Sequence, residues 1–397
     1  MAGPGGSSVP SPAPPPPKIL LAKPGLVTGG APAGKFGRNS GGDEEAASLR
    51  SRVLPSLNLL SDSWDFHIDR FLPFLTENTD FTVVGVIGPP GAGKSTIMNE
   101  LYGFDGASPG TLPPFAVQSE DTRAMAKHCT TGIEPRVSAE RLILLDTQPV
   151  FSPSILAEMM KPDGSSTIPV LGGEPLFAEL AHELMAIQLG VLLLSICHIV
   201  LVVSEGVHES SVWHLMAAVD MLKHGIPDPS SHVSSQFQST NLVFENDKVL
   251  GGEEYMAAPI FVHTKLQDQE MNPCNVLKVG EALSRHCSSS SFMRVKGSKA
   301  ANLPRGEDIK SESTLANLFL IPLKNKDDSS GSPYESYVSA LWKLRDQVLS
   351  MSGPSFSRTV SERDWLRNSA KIWELVKNSP VIAEYCRMLQ TVGIFRR

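Results

Sequence analysis

The run Gly88-Pro-Pro-Gly-Ala-Gly93-Lys94-Ser95 constrains this chain more than any other feature. Gly, four residues, Gly, Lys and Ser is the spacing of a phosphate-binding loop. Glycines let successive backbone N–H groups turn inward and cradle phosphate oxygens. Gly88, Gly91, Ala92 and Gly93 are the candidate cradle, and Lys94 would set a fixed positive charge against the β- and γ-phosphates. Ser95 and Thr96 open the next helix, whose positive dipole end faces the anion. The Ser95 hydroxyl is also a candidate Mg²⁺ ligand. The context fits, because Phe81-Thr-Val-Val-Gly-Val-Ile87 reads as a buried strand and 95–102 as a helix.

Further apolar runs at 141–145, 196–203, 259–262 and 317–322 read as buried strands, with helical patterns at 179–194 and 211–224. Strands apolar throughout, alternating with helices, predict an α/β fold with a mainly parallel sheet, in the P-loop NTPase, G-domain-like style. A helical spacing is also read at 63–75, through Trp64, Ile68, Phe71, Leu72 and Leu75. Residues 1–55 are expected to be a disordered arm, since 1–48 alone hold ten Gly and nine Pro. Inside the arm lies one apolar island, Lys18-Ile-Leu-Leu-Ala-Lys-Pro24, read as chance or as a partner-docking strand. Residues 56–325 form the expected P-loop domain, with Ser-rich insertions near 227–257 and 288–313. Residues 326–397 follow as a C-terminal helical extension. Its helices are expected at 334–351, 361–377 and 383–390, with Ser361 and Asp364 as a capping box. The face formed by Leu366, Ala370 and Trp373 is expected to pack on the α/β domain.

The formal charge of −7 argues against whole-chain affinity for nucleic acid or anionic membrane. No direct sequence-specific nucleic-acid binding is expected. Five scattered cysteines with no Cys-x-x-Cys pair indicate neither a zinc site nor a disulfide framework, and point to a reducing, cytoplasmic setting. The start lacks the basic and apolar regions of a signal peptide. Residues 184–203 carry no charge and are long enough to span a bilayer. Gln188, Gly190, Ser195 and His198 interrupt them, and the second half is β-branched, so a core helix running into a buried strand is the better reading.

A P-loop needs a carboxylate for the magnesium shell. Asp146, ending the strand Arg141-Leu-Ile-Leu-Leu-Asp146, is the candidate. Between loop and strand, Cys129-Thr130-Thr131-Gly132-Ile133 resembles the first switch of G domains, where a threonine meets Mg²⁺ and the γ-phosphate. Thr131 is the candidate and Thr130 the second choice. The departures are as informative. G domains follow the magnesium Asp with two residues and a glycine whose N–H contacts the γ-phosphate; here the run is Asp146-Thr147-Gln148-Pro149, and proline has no N–H. Val150 stands where a water-positioning glutamine is usual. The guanine-reading Asn-Lys-x-Asp becomes Thr264-Lys265-Leu266-Gln267, followed by Asp268. Lys265 can still stack under a purine, but the acid is displaced. The expectation is a degenerate G domain that binds purine nucleotide (GTP/GDP or ATP) with Mg and hydrolyses it poorly. A kinase reading fails, since neither His-Arg-Asp nor Asp-Phe-Gly occurs.

The chain resembles the SMG-nine subunits of nonsense-mediated mRNA decay. The resemblance rests on the P-loop and on Leu145-Asp-Thr-Gln-Pro149-Val-Phe-Ser-Pro-Ser-Ile-Leu156, where that family also breaks the Asp-x-x-Gly pattern. It continues through Cys197-His198-Ile-Val-Leu-Val-Val203 and the C-terminal Trp365, Ile372-Trp373 and Ala383-Glu384-Tyr385. It covers most of residues 60–390. It implies a G-like domain paired with the SMG-eight subunit, both bound to the SMG-one kinase, which is phosphatidylinositol-3-kinase-related and phosphorylates the Upf-one helicase. Such a subunit regulates and scaffolds and is not itself an enzyme. Two alternatives stand beside this reading: an active GTPase or ATPase of the dynamin or guanylate-binding type, and a pseudo-GTPase that binds no nucleotide.

Overall fold

The computed structural model describes residues 57–61, 63–105, 111–125, 127–161, 176–231, 254–291, 318–324, 335–351 and 353–392. The expected arm at 1–55 lies outside these residues, as does most of both Ser-rich insertions. All described residues lie in the unit Val53–Arg397.

Six strands form one sheet: β1 Thr82–Ile87, β2 Ile133–Val137, β3 Leu142–Thr147, β4 Ile199–Glu205, β5 Ala258–Leu266 and β6 Leu318–Pro322. Their order is β2-β3-β1-β4-β5-β6. All neighbours pair in parallel except β2, which runs antiparallel to β3 at one edge. Nine helices accompany them among the described residues. They are α1 Lys94–Tyr102, α2 Glu120–Ala124, α3 Pro153–Met159, α4 Ala178–Ile196, α5 Ser211–Leu222, α6 Pro273–His286, α7 Tyr337–Ser350, α8 Glu362–Lys377 and α9 Pro380–Val392. The strands bury side chains on both faces, which is why their sequences are continuously apolar. One core layer joins the sheet to α4, α5 and α8. The other joins it to α1 and α7. The chain switches direction of strand addition around β1, and an open α/β sheet leaves its crevice beyond the strand ends at such a point.

The uncharged stretch 184–203 is a helix to Ile196 and a strand from Ile199. Its window of membrane-like hydropathy is 83% buried against protein. The polar interruptions are explained by partners within the core. Gln188 Oε1 accepts from Trp64 Nε1 at 2.9 Å, and the Ser195 hydroxyl donates to the Val191 carbonyl at 2.7 Å.

The helix expected at 63–75 is not formed; only a 3-10 turn, Leu72–Phe74, is helical. Leu60 instead makes single bridges to Phe66 and to Ile133, and Trp64 adopts φ 65°. Both choices break a helical path. The apolar spacing recorded burial of Trp64, Phe71 and Leu75 rather than a helical face. The expected C-terminal helices are present, and Ser361 Oγ accepts the Asp364 N–H at 3.2 Å as the cap required. Leu366 and Trp373 are fully buried in the same core layer as the sheet.

His198, just before β4, accepts the Val83 N–H on Nδ1 at 2.9 Å and packs against Phe356 with ring centroids 4.2 Å apart and the rings tilted by 42°. Burial pushes its pKa from 6.5 down to about 4. The folded state therefore holds this ring neutral, while the unfolded chain protonates it below pH 6.5. Stability present above pH 6.5 is lost as pH falls toward 4, by about 3 kcal/mol from this group. Urea unfolding of wild type and His198→Gln across pH 4–7 checks this. The variant should show a shallower acid loss, and equal slopes would remove His198 from the account.

Candidate functional site

The glycine-rich loop lies at the carboxyl end of β1, as a strand–loop–helix unit should. Gly91 and Gly93 have φ of 74° and 91°, in the left-handed region that glycine tolerates. α1 starts at Lys94, so its free N–H groups face the loop. A cavity of about 270 Å³ opens there, lined by residues 90–97 of the loop and helix, by Thr130, Pro149 and Lys265, and by Tyr337 and Leu341 of α7. Gly91, Ala92, Gly93, Lys94, Ser95, Thr96 and Lys265 thus share one wall. Gly88 sits at the loop's root rather than on the wall.

Lys94 is buried, with Nζ donating to the carbonyls of Gly88 and Pro89, each at 3.0 Å. Burial lowers its pKa to about 8, and the Asp146 carboxylate works partly against that shift. An ammonium in so dry a place, only partly compensated by Asp146, would favour a further anion beside it. Asp146 is fully buried at the end of β3. Its Oδ2 accepts the Ser95 hydroxyl at 2.7 Å and the Thr130 hydroxyl at 2.8 Å. Burial raises its pKa, opposed by Lys94, the two hydroxyls and the Thr147 amide. Oδ1 has no hydrogen-bond partner among the described residues.

Two hydroxyls and an unsatisfied carboxylate oxygen thus converge beside the glycine-rich loop. That set fits magnesium, which takes one or two carboxylates and completes its octahedron with water and phosphate oxygens. No group of three or more His, Cys, Asp or Glu side chains suited to a metal occurs among the described residues. A metal here would depend on its phosphate ligands. Of the two threonines in the switch-like run, Thr130 faces Asp146. Thr131 turns away, its Oγ1 accepting from Asn58 Nδ2 at 3.1 Å.

The residues after Asp146 are committed to the fold. The Thr147 hydroxyl donates to the Val86 carbonyl at 2.6 Å, and Gln148 Oε1 accepts the Gly132 N–H at 2.9 Å. Val150 is 2% exposed, and its N–H is held by the Gly88 carbonyl at 3.1 Å. Pro149 lies on the cavity wall. Beyond β5, the Gln267 N–H donates to Glu270 at 2.8 Å, closing a turn where a guanine-reading acid would sit.

Three residues of the site were not anticipated. The Thr264 hydroxyl donates to the Ala92 carbonyl at 2.8 Å and lies 3.2 Å from the Ser204 carbonyl, joining β4, β5 and the loop. Arg123 of α2 lines the cavity. Glu205, the last residue of β4, holds the Lys265 ammonium at 2.7 Å. Thr264 stands where Asn-Lys-x-Asp has its Asn, but its bond to the loop and the Glu205–Lys265 pair depend on a sheet order that the sequence does not display.

Together these features define an α/β protein with a mixed, mostly parallel six-stranded sheet and a glycine-rich loop at its switch point. No family model matches the chain. It is, however, 29% identical over 378 residues to "Nonsense-mediated mRNA decay factor SMG9" of Xenopus laevis, covering 88% of this chain and 71% of the relative. The protein of that name from Salmo salar is 29% identical over 355 residues, 84% of this chain and 67% of the relative. The one from Caenorhabditis elegans is 27% identical over 229 residues, 56% of each. Homologues of this chain thus carry the SMG9 name in vertebrates and nematodes, in agreement with the resemblance carried by the 145–156 run.

Proposed function

We propose that this chain is a regulatory and scaffolding subunit in nonsense-mediated mRNA decay that binds a purine nucleotide with Mg and hydrolyses it little or not at all. The role in decay is supported by the frog, salmon and nematode relatives, each named as a factor of that process. The resemblance carried by the sequence motifs, and not the relatives' names, implies the partners: an SMG-eight subunit, in a heterodimer, and the SMG-one kinase, with the Upf-one helicase reached indirectly. The setting is cytoplasmic.

The nucleotide reading is carried by one observation: Ser95, Thr130 and the open Oδ1 of Asp146 meet beside the buried Lys94. The loop N–H groups and Lys94 bind and orient the phosphates. Ser95, Thr130 and Asp146 would hold the magnesium, which supplies charge neutralisation to the phosphate oxygens when bound. Water activation is a different matter. Val150 offers no side-chain polar group, its N–H is occupied, and Gln148 is tied to Gly132. Nothing in this strand end orients an attacking water, which favours a structural or state-reporting nucleotide over turnover.

Mass spectrometry of nucleotide released on denaturation, with calorimetry of the refilled protein, tests this. Lys94→Ala should weaken binding by about 100-fold or more, as expected when a buried charge-assisted contact is lost. Affinity should also fall as pH rises through about 8, because ligand-free Lys94 loses its proton there and phosphate needs the charged form. Sustained phosphate release abolished by Lys94→Ala would instead establish an active GTPase or ATPase. Absence of any bound nucleotide would leave a pseudo-GTPase.

A further inference from the structure

The structure points to Glu205 as a positioning residue: we propose that it fixes Lys265 over the tip of the glycine-rich loop as the platform for the nucleoside part of the ligand. This makes the site select nucleotides over bare polyphosphate. The inference rests on the nucleotide reading above and deepens it.

The starting point is a conflict between Lys265 and its own strand. Thr264 faces the loop, with its hydroxyl on Ala92, so regular alternation would send Lys265 to the opposite face of the sheet. It does not go there. Lys265 adopts φ 59°, unfavourable for a residue with a side chain, and the β5–β6 ladder slips between His263 and Leu266. The irregularity returns the side chain to the cavity, whose wall it joins.

Glu205 receives it there. Its carboxylate holds Nζ at 2.7 Å, and a Cβ placed on Gly91 would lie 3.9 Å from Nζ and 4.0 Å from Glu205 Oε2. Both ends of the ion pair therefore rest on the loop tip. Thr264, pairing opposite Glu205 in the ladder, ties the two strand ends to the loop beneath. With side chains 24% and 45% exposed, such a pair contributes little to stability. Its consequence is positional. A free lysine stem samples many rotamers and its ammonium would seek the phosphates. Held and neutralised by Glu205, Lys265 presents its four-carbon stem as an apolar shelf. That shelf suits the face of a base and ribose, and it adds nothing for a ligand without them.

Calorimetry on the full chain with Mg²⁺ would compare purine nucleoside triphosphates (GTP and ATP separately) with inorganic tripolyphosphate. Glu205→Gln should lower the affinity ratio of nucleotide to tripolyphosphate about tenfold, equivalent to about 1.4 kcal/mol. Lys265→Ala should lower it similarly, the double variant no further, and Glu205→Asp should recover part of the loss. An unchanged ratio, equal weakening of both ligands, or additive losses would overturn the proposal. Retained binding of both ligands by wild type, lost in Lys94→Ala, would show that the site reading survives such a failure. A wild type that binds neither ligand would overturn both.

Discussion

Trp373→Ala is expected to lower the unfolding free energy by about 3–5 kcal/mol, the range for emptying a fully buried large aromatic position. Trp373 lies on α8, more than 300 positions from its main partner. Its ring meets Trp64 edge-on with centroids 5.5 Å apart, and its indole N–H donates to the Trp64 carbonyl at 3.1 Å. Trp64 in turn donates to Gln188 inside α4. Truncation therefore leaves a cavity, a carbonyl without its donor, and an unsupported Trp64 held at φ 65°. Trp365 makes a parallel connection, its indole N–H donating to the Ile196 carbonyl at the end of α4 at 2.8 Å. The chain from α4 leads directly into β4, whose last residue is Glu205. Urea midpoints for Trp373→Ala and wild type measure the effect. A cost under about 1 kcal/mol, the level of a surface change, would mean that α8 is not part of this core.

The strands were legible where burial on both faces makes the sequence uniformly apolar, as in Val83–Ile87 and Ile199–Val203. β2 was not legible, since its sequence is Ile-Glu-Pro-Arg-Val. Pro135 is tolerated because β2 is an edge strand, whose outer side needs no donor at that point. Glu134 and Arg136 pair with each other at 2.6 Å while buried, a pairing that no local pattern announces. α6 did carry a readable start: Asn272 caps the Cys274 N–H and Pro273 takes the first turn. It was overlooked because its apolar residues are few and kept to one face, only Gly280 and Leu283 of its fourteen residues being buried. At the site, the meeting of the glycine-rich loop, Lys94, Ser95 and Asp146 was legible, because the motif puts the first three on one turn and Asp146 closes the neighbouring strand. The choice between Thr130 and Thr131 was not, because adjacent identical residues differ only in which one the backbone turns inward. Glu205 was invisible for another reason. It contributes through the end of a different strand, sixty positions from the lysine it holds.

Gly88→Ala should cost about 4 kcal/mol or more, in the range reserved for exceptional substitutions, and should abolish nucleotide binding with it. A Cβ at Gly88 would lie 2.1 Å from the Val203 carbonyl oxygen. The obstacle is backbone in the middle of β4, so no rotamer change relieves it. β1 would have to separate from β4 at the point where the loop leaves the sheet. The Gly88 carbonyl also accepts from Val150 N–H and from Lys94 Nζ, so any displacement carries the end of β3 and the buried lysine along. Gly93→Ala is the matched comparison. Nothing lies within 4 Å of a Cβ there, and only the positive φ of 91° opposes it. That strain amounts to about 1–2 kcal/mol. Denaturant unfolding and nucleotide calorimetry on both variants would separate the two causes. A Gly88→Ala variant no less stable than Gly93→Ala would contradict the close approach of β1 to β4. The motif spacing treats these two glycines as equivalent, whereas the sheet assigns them different work: Gly93 permits a turn, and Gly88 permits two strands to meet beneath the cradle.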